Sequence, residues 1–307
     1  LCGGLMWLSD AGYVAASVNA GGMGFISART FPDPAAFRDE LQKCTDLTGG
    51  KPFGVNLYFT PRPADNAMLK GHAGILLEEG VRILETSGLP PIDLLPLFRE
   101  AGAKVIHKVS TVRHAQSAAR LGVDAIAVVG AECGGHPGLQ LVGTMVQTPL
   151  AAAAVKLPLS VGGGIGHGSQ IAAAIAMGAD AVTIGTRMTV AEEIWAHPAY
   201  KQRMVEADET SSRLVLASLR NTYRVLDNRD ARAVAELEAA GVSDHASYRE
   251  LVAGMRQKEA YETGDWQRGV LSMGQSIAFA RAIKPVAAIF AELVGEARAA
   301  LERVRGV

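Results

Sequence analysis

PLSVGGGIGHGSQIAAAIAMGADAVTIGTR, residues 158–187, reads in one uninterrupted run as strand, glycine turn, helix, strand and second glycine turn. The apolar run 158–161 stops at Gly162, Gly163, Gly164 and Gly166, where the backbone can turn sharply with its N–H groups bare. Ser169 is placed to cap a helix over 170–177, whose alanine-rich surface suits packing on a sheet, and Gly178 ends it before a strand at 181–184. Gly185 and Thr186 then repeat the turn. One such turn is explained by chain reversal alone; two in tandem, about 20 residues apart, match the phosphate site that (β/α)8 barrels place after strands seven and eight.

The same rhythm extends back to the start of the chain. Strands are predicted at 1–4, 23–27, 53–57, 82–86, 104–108, 125–129, 158–161 and 181–184, with helices at 11–20, 34–47, 65–80, 93–101, 111–121, 148–155 and 170–177. Glycine sits at repeated helix-to-strand joints (Gly22, Gly80, Gly102, Gly122, Gly178), where a helix C-terminus calls for it. Alternation of this kind predicts an α/β fold, a (β/α)8 TIM barrel. After Thr186 the pattern changes: 190–262 reads as helical and charged without strands, an inserted helical cap near the C-terminus. Residues 273–307 return as an apolar helix ending in Arg303 and Arg305, which suits an eighth barrel helix. The expected division is a barrel of 1–189 and 273–307 with a cap of 190–272.

A chain of 307 residues is long enough for such a barrel, which takes about 250, plus an appendage. With 20% charged residues and a formal net charge of −1, the composition excludes a nucleic-acid surface. No apolar run approaches the roughly 20 residues that span a bilayer, so no membrane partner is expected. Three widely spaced cysteines, Cys2, Cys44 and Cys133, argue against a disulfide framework and for a reducing, cytoplasmic location. The sequence opens at Leu1 on what reads as a clipped strand with no basic-then-apolar leader, so a few preceding residues are expected. The expected partners are a small-molecule substrate and, at most, a second copy of the chain as a homodimer.

In a barrel the chemistry lies at the C-terminal ends of strands. The longest loop there carries Glu132-Cys133-Gly134-Gly135-His136-Pro137-Gly138, whose glycines and proline fix a conformation that projects the His136 imidazole into the barrel mouth. That assigns His136 to catalytic proton transfer near neutral pH, against the plainer reading of a surface-loop histidine. Cys133 with His136 lacks a second ligand pair, so no metal site is predicted, and Cys133 reads as a packed small residue. Asn56, ending the third strand, offers a buried amide to a heterocycle edge. Lys108, ending the fifth, is either a structural ion pair or a partner for an anionic oxygen, with the second favoured by the tandem turns. The loop Tyr58-Phe59-Thr60-Pro61-Arg62-Pro63 is proline-stiffened and carries an arginine.

Taken together, Gly3-Gly4 with Trp7, Asn19-Ala20-Gly21-Gly22-Met23-Gly24, Gly54-Val55-Asn56-Leu57, the Glu132 to Gly138 loop, Gly162-Gly163-Gly164-Ile165, Gly185-Thr186-Arg187 and His197-Pro198 resemble the nitronate monooxygenase (2-nitropropane dioxygenase) family of FMN-dependent barrels. KVIHK (104–108), VRHA (112–115), LGVDA (121–125) and SLRNT (218–222) bring the resemblance nearest to the bacterial NADH:quinone reductase branch; FMN-type enoyl-ACP reductases share the glycine motifs but resemble it less. The resemblance implies non-covalent FMN with its phosphate on Gly163, Gly164, Gly185 and Thr186, its ring near Gly3, Gly4, Leu5, Asn56, Lys108 and Gly135, and Gln275 folding back against it. It places His136 beside the flavin and Pro61 and Arg62 at the substrate, with NADH as a possible electron donor. Leu5 stands where many members carry methionine, and LQLVGTM follows Gly138 where acidic residues are common. The reaction is expected to be either NADH-dependent quinone reduction or oxidation of alkyl nitronates with O2, with enoyl-ACP reduction as a lesser alternative.

Overall fold

The computed structural model describes residues 1–305. Seven parallel strands follow one another in a single sheet in chain order: β1 Phe25–Ser27, β2 Gly54–Phe59, β3 Ile83–Gly88, β4 Lys104–Val109, β5 Ala125–Val129, β6 Leu159–Gly162 and β7 Ala181–Thr183. The predicted strand at 1–4 is instead a bridge of one residue. Cys2 pairs in parallel with Gly24, at the start of β1, and with Ile184, at the end of β7, so the sheet curls until its two edges meet the same residue. Leu1 and Gly3 extend the seam through Ile184 N to the Leu1 carbonyl at 2.8 Å and Gly3 N to the Ile184 carbonyl at 3.2 Å.

The helices between the strands are α1 Ala11–Asn19, α2 Pro34–Thr48, α3 Ala67–Glu78, α4 Leu95–Glu100, α5 Val112–Leu121, α6 Thr144–Ala154 and α7 Gly168–Ala176. Local chemistry sets their ends. Asp10, Asp33 and Thr111 accept N-terminal amide bonds, and Gly178 follows α7 at φ +98°, a conformation that disfavours any residue with a Cβ. The cap of α7 is His167 rather than Ser169: its side chain accepts from Ser169 N at 3.1 Å while Gln170 reaches back to His167 N at 3.0 Å. Strand interiors such as Val55, Leu57, Leu84 and Ile126 are fully buried, as parallel strands covered by helices must be.

Beyond β7 the segment predicted as purely helical contains a short antiparallel pair. Helix α8 Pro198–Val205 leads to β8 Ser212–Val215 and β9 Tyr223–Leu226, then α9 Arg229–Ala239, α10 His245–Val252 and α11 Gly254–Thr263. Val215, Val225, Val234, Tyr248 and Val270 form a small second core, whereas Val190, Ile194, Tyr200 and Met204 pack into the main one. The last helix, α12 Val286–Arg305, is shorter than predicted and lies on α7, burying Ile289 and Leu293, each contributing about 1.5–3 kcal/mol of apolar burial. Glu296 joins the two helices by accepting from Gly168 N at 2.7 Å and by facing His167 at 3.2 Å.

Candidate functional site

The C-terminal ends of the parallel strands open on one cavity of about 640 Å³, within the range of small-molecule and cofactor sites. Both tandem turns border it side by side, through Gly163 and Gly164 after β6 and Gly185 and Thr186 after the neighbouring β7. Gly163 and Gly164 lie at φ +99° and +70°, and a Cβ on Gly163 would approach the Gly130 amide to 2.8 Å, so neither conformation nor space admits a side chain. A Cβ on Gly185 would meet only Leu5 Cδ2, at 3.6 Å; that turn is bare toward the cavity. Thr186 Oγ1 accepts from Gly274 N at 2.9 Å, which leaves the hydroxyl proton to donate elsewhere.

The floor is organised by a residue that sequence reasoning missed. Glu85, 1% exposed on β3, accepts from Asn56 Nδ2 at 2.5 Å and Gly4 N at 3.2 Å, and pairs with Lys108 Nζ at 3.1 Å. The ion-pair alternative for Lys108 is therefore the one formed, although Lys108 also borders the cavity. Asn56 does not: it lies beneath Gly4, whose Cβ would come within 2.6 Å of Asn56 Cβ, and its amide is spent on Glu85. The available signal was an acid beside Ile83 and Leu84 in the strand predicted at 82–86, which must find donors if buried. His107 is also in the wall, bonded through Nδ1 to Thr86 Oγ1 at 2.8 Å, and burial lowers its pKa to about 4, so it is neutral at pH 7.

His136 borders the same cavity, and its ring stacks on Tyr223 at 4.4 Å with 8° between the planes. The β9 strand makes this contact possible. Arg224 exchanges backbone hydrogen bonds with Gly135 at 2.7 and 3.0 Å and donates from Nε to the Ala131 carbonyl at 3.0 Å, while Tyr223 Oη meets Ser272 Oγ at 2.6 Å. The imidazole is thus held by residues distant in sequence. Crowding by the walls desolvates it and lowers its pKa to about 4, while the ring's own surface stays open to the cavity; the neutral form prevails at pH 7 even from an ordinary 6.5. Cys133 goes the other way: it borders the cavity half-buried, and crowding around it lifts its thiol to about 12, which disfavours the thiolate at pH 7.

Gly3, Gly4, Leu5, Gly135 and Pro61 also line the cavity. Arg62 is exposed outside the wall, on a loop that Asn66 fixes by accepting from Thr60 N at 2.9 Å and donating to the Thr60 carbonyl at 2.8 Å. Gln275 is likewise outside; its backbone N–H donates to the Glu132 carbonyl at 3.0 Å, and Ser272 and Ser276 of the same segment are the residues that reach the cavity. Among the described residues no cluster of His, Cys, Asp and Glu could hold a metal ion, and no helix is long and apolar enough to cross a membrane.

Comparison with known proteins is consistent along the chain. The family described as Nitronate monooxygenase matches residues 2–296. A probable nitronate monooxygenase of Staphylococcus aureus is 28% identical over 302 residues, covering 86% of this chain and 84% of that protein. The (3aS,4S,5R,7aS)-5-hydroxy-7a-methyl-1-oxo-octahydro-1H-indene-4-carboxyl-CoA dehydrogenase of Mycobacterium tuberculosis is 33% identical over 207 residues, 66% of this chain; the match spans 56% of that relative's length. Among solved structures, FabK from Thermotoga maritima superposes with a TM-score of 0.90 at 32% identity, over 99% of this chain and 94% of that one. Nitroalkane oxidase from Streptomyces ansochromogenes gives 0.82 at 26% identity, over 97% and 94%.

Proposed function

The chain belongs to the nitronate monooxygenase family, and from that premise we propose that it is an FMN-dependent oxidoreductase that takes hydride from NADH and passes electrons to a quinone. The observation that carries the cofactor is the opening of both tandem turns onto the one cavity that also holds His136 and Lys108. The residues present fit FMN: Gly163, Gly164, Gly185 and Thr186 supply bare N–H groups and a free hydroxyl proton for one phosphate, and Gly3 and Gly4 leave a side-chain-free surface beside the floor. The flavin would supply a two-electron acceptor. Around it, Glu85 holds Lys108 as a fixed cation at the floor, Tyr223 orients His136, and the neutral imidazole can accept a proton at pH 7. In this reading the curled sheet is a (β/α)8 barrel whose first strand is reduced to Cys2, and 190–272 is its cap.

The NADH assignment rests on the resemblance to the reductase branch and on Pro61 at the cavity lip. A second reading, oxidation of alkyl nitronates with O2, is supported by the relative bearing that name and by a neutral His136 within the cavity. The two separate under anaerobic conditions, with the oxidised-flavin absorbance followed after mixing with NADH, NADPH or an alkyl nitronate. NADH is expected to bleach the flavin, and replacement of Pro61, at the cavity lip, to slow that step while leaving a small nitronate unaffected. Rapid bleaching by nitronate with none by either nucleotide would replace the reductase reading with the monooxygenase one.

A further inference from the structure

We infer that Arg220, in the turn between β8 and β9, anchors the diphosphate of a co-substrate entering the cavity from outside. The inference rests on the oxidoreductase reading above. It starts from charge. Lys108 and Arg220 are the lysine and arginine of the cavity wall, which has no carboxylate among its lining residues. Lys108 is already matched by Glu85 at 3.1 Å. Arg213 and Arg224 of the same hairpin are also engaged, by Asp227 at 2.9 Å and the Ala131 carbonyl at 3.0 Å, whereas the exposed Arg220 guanidinium has no partner among the described residues. The wall therefore presents one uncompensated positive charge, which complements an anion.

Position separates that anion from the one the tandem turns would hold. Gly135 pairs antiparallel with Arg224, so the chain running back from Arg224 to Arg220 follows the facing loop forward, from Gly135 toward Gly138 and Leu139. Glu132, against which Gly164 packs, lies in the opposite direction. Arg220 thus belongs with Gly138 and Leu139 in the wall, while Gly164 packs on Glu132. The turn that carries it is fixed: Glu238 accepts from Leu216 N and Ser218 N at 2.9 Å each, and Asn221 N donates to the Leu216 carbonyl at 3.1 Å. Leu216 and Arg220 are held at φ +60° and +52°, which side-chain-bearing residues seldom adopt. Asn221 and Thr222 reach the wall beside Arg220 and add neutral donors to its forked guanidinium, a set suited to a diphosphate. Nicotinamide dinucleotides and coenzyme A thioesters share that group.

The test is calorimetric titration of the FMN-loaded protein with NAD⁺ and, separately, coenzyme A, for wild type, R220A, R220K and R220E, alongside steady-state kinetics. At least one ligand should bind wild type; R220A should weaken it about 10- to 100-fold, R220E more, with R220K recovering part of the loss. In turnover KM for that co-substrate should rise with kcat held. Which ligand responds identifies the source. Dependence on Arg220 for coenzyme A, in a protein whose flavin NADH cannot reduce, would keep this site and remove the reductase reading. Unchanged affinities in R220E, no binding of either ligand to wild type, or loss of FMN from R220K would overturn the assignment.

Discussion

Gly185→Val is expected to purify as a folded protein without bound flavin. A Cβ at this position meets only Leu5 Cδ2, at 3.6 Å, so the surrounding residues leave room for it. The branched side chain then has one place to go, into the space over the turn, where it blocks access to the Gly185 and Thr186 donors. Losing two charge-assisted hydrogen bonds to a phosphate corresponds to an affinity loss of about 100-fold or more. Flavin absorbance after purification, circular dichroism and titration with added FMN check this. Retained stoichiometric FMN would remove the second turn from the binding site. Gly4→Ala makes a useful contrast, because its Cβ would lie 2.6 Å from Asn56 Cβ and press on the bonds to Glu85 rather than on open space.

His136→Ala should keep the flavin and lose turnover, by about 10²- to 10⁴-fold in kcat/KM if the imidazole handles a proton. The sign of the pH dependence follows from its environment. The desolvated ring has its pKa lowered, so the neutral base persists into acid, and activity dependent on it falls as pH drops, with the fall centred below 6.5. This group predicts no loss on the alkaline side. Tyr223→Leu, which removes the stacked partner without touching the imidazole, should lower the rate by less than His136→Ala and leave the flavin bound. Rates for His136→Ala equal to wild type with every competent substrate would make it a surface-loop histidine.

How much of this was legible in the sequence depends on whether the determining contact is local. The buried parallel strands read clearly because both faces are covered and each appears as a short continuous apolar run between glycines. Cys2 did not read correctly because a one-residue bridge has no pattern; its role comes from the two edges that close on it. The β8–β9 pair was missed because SRLV and YRVL are four-residue strands with charged residues, defined by pairing with one another and with Gly135 and Ser272. The glycine turns and His136 could be placed at the strand ends from sequence because each is marked by contiguous residues, and all border the cavity. Glu85 as the hub for Asn56, Lys108 and Gly4, and Tyr223 as the support of His136, arise from strands brought side by side or from a distant hairpin. The same limit explains Arg62: the loop was read as reaching the substrate, but Asn66 holds it so that Pro61 borders the cavity and Arg62 faces outward.

The central claim is that the cavity between the tandem turns and His136 is an FMN site, and release of the bound cofactor by heat, followed by chromatographic identification and quantitation against protein, tests it most directly. One FMN per chain is predicted, because the turns offer donors for a single phosphate and no second glycine fingerprint serves an adenosine half. Release of FAD, or a colourless protein that added FMN cannot reconstitute, would contradict it.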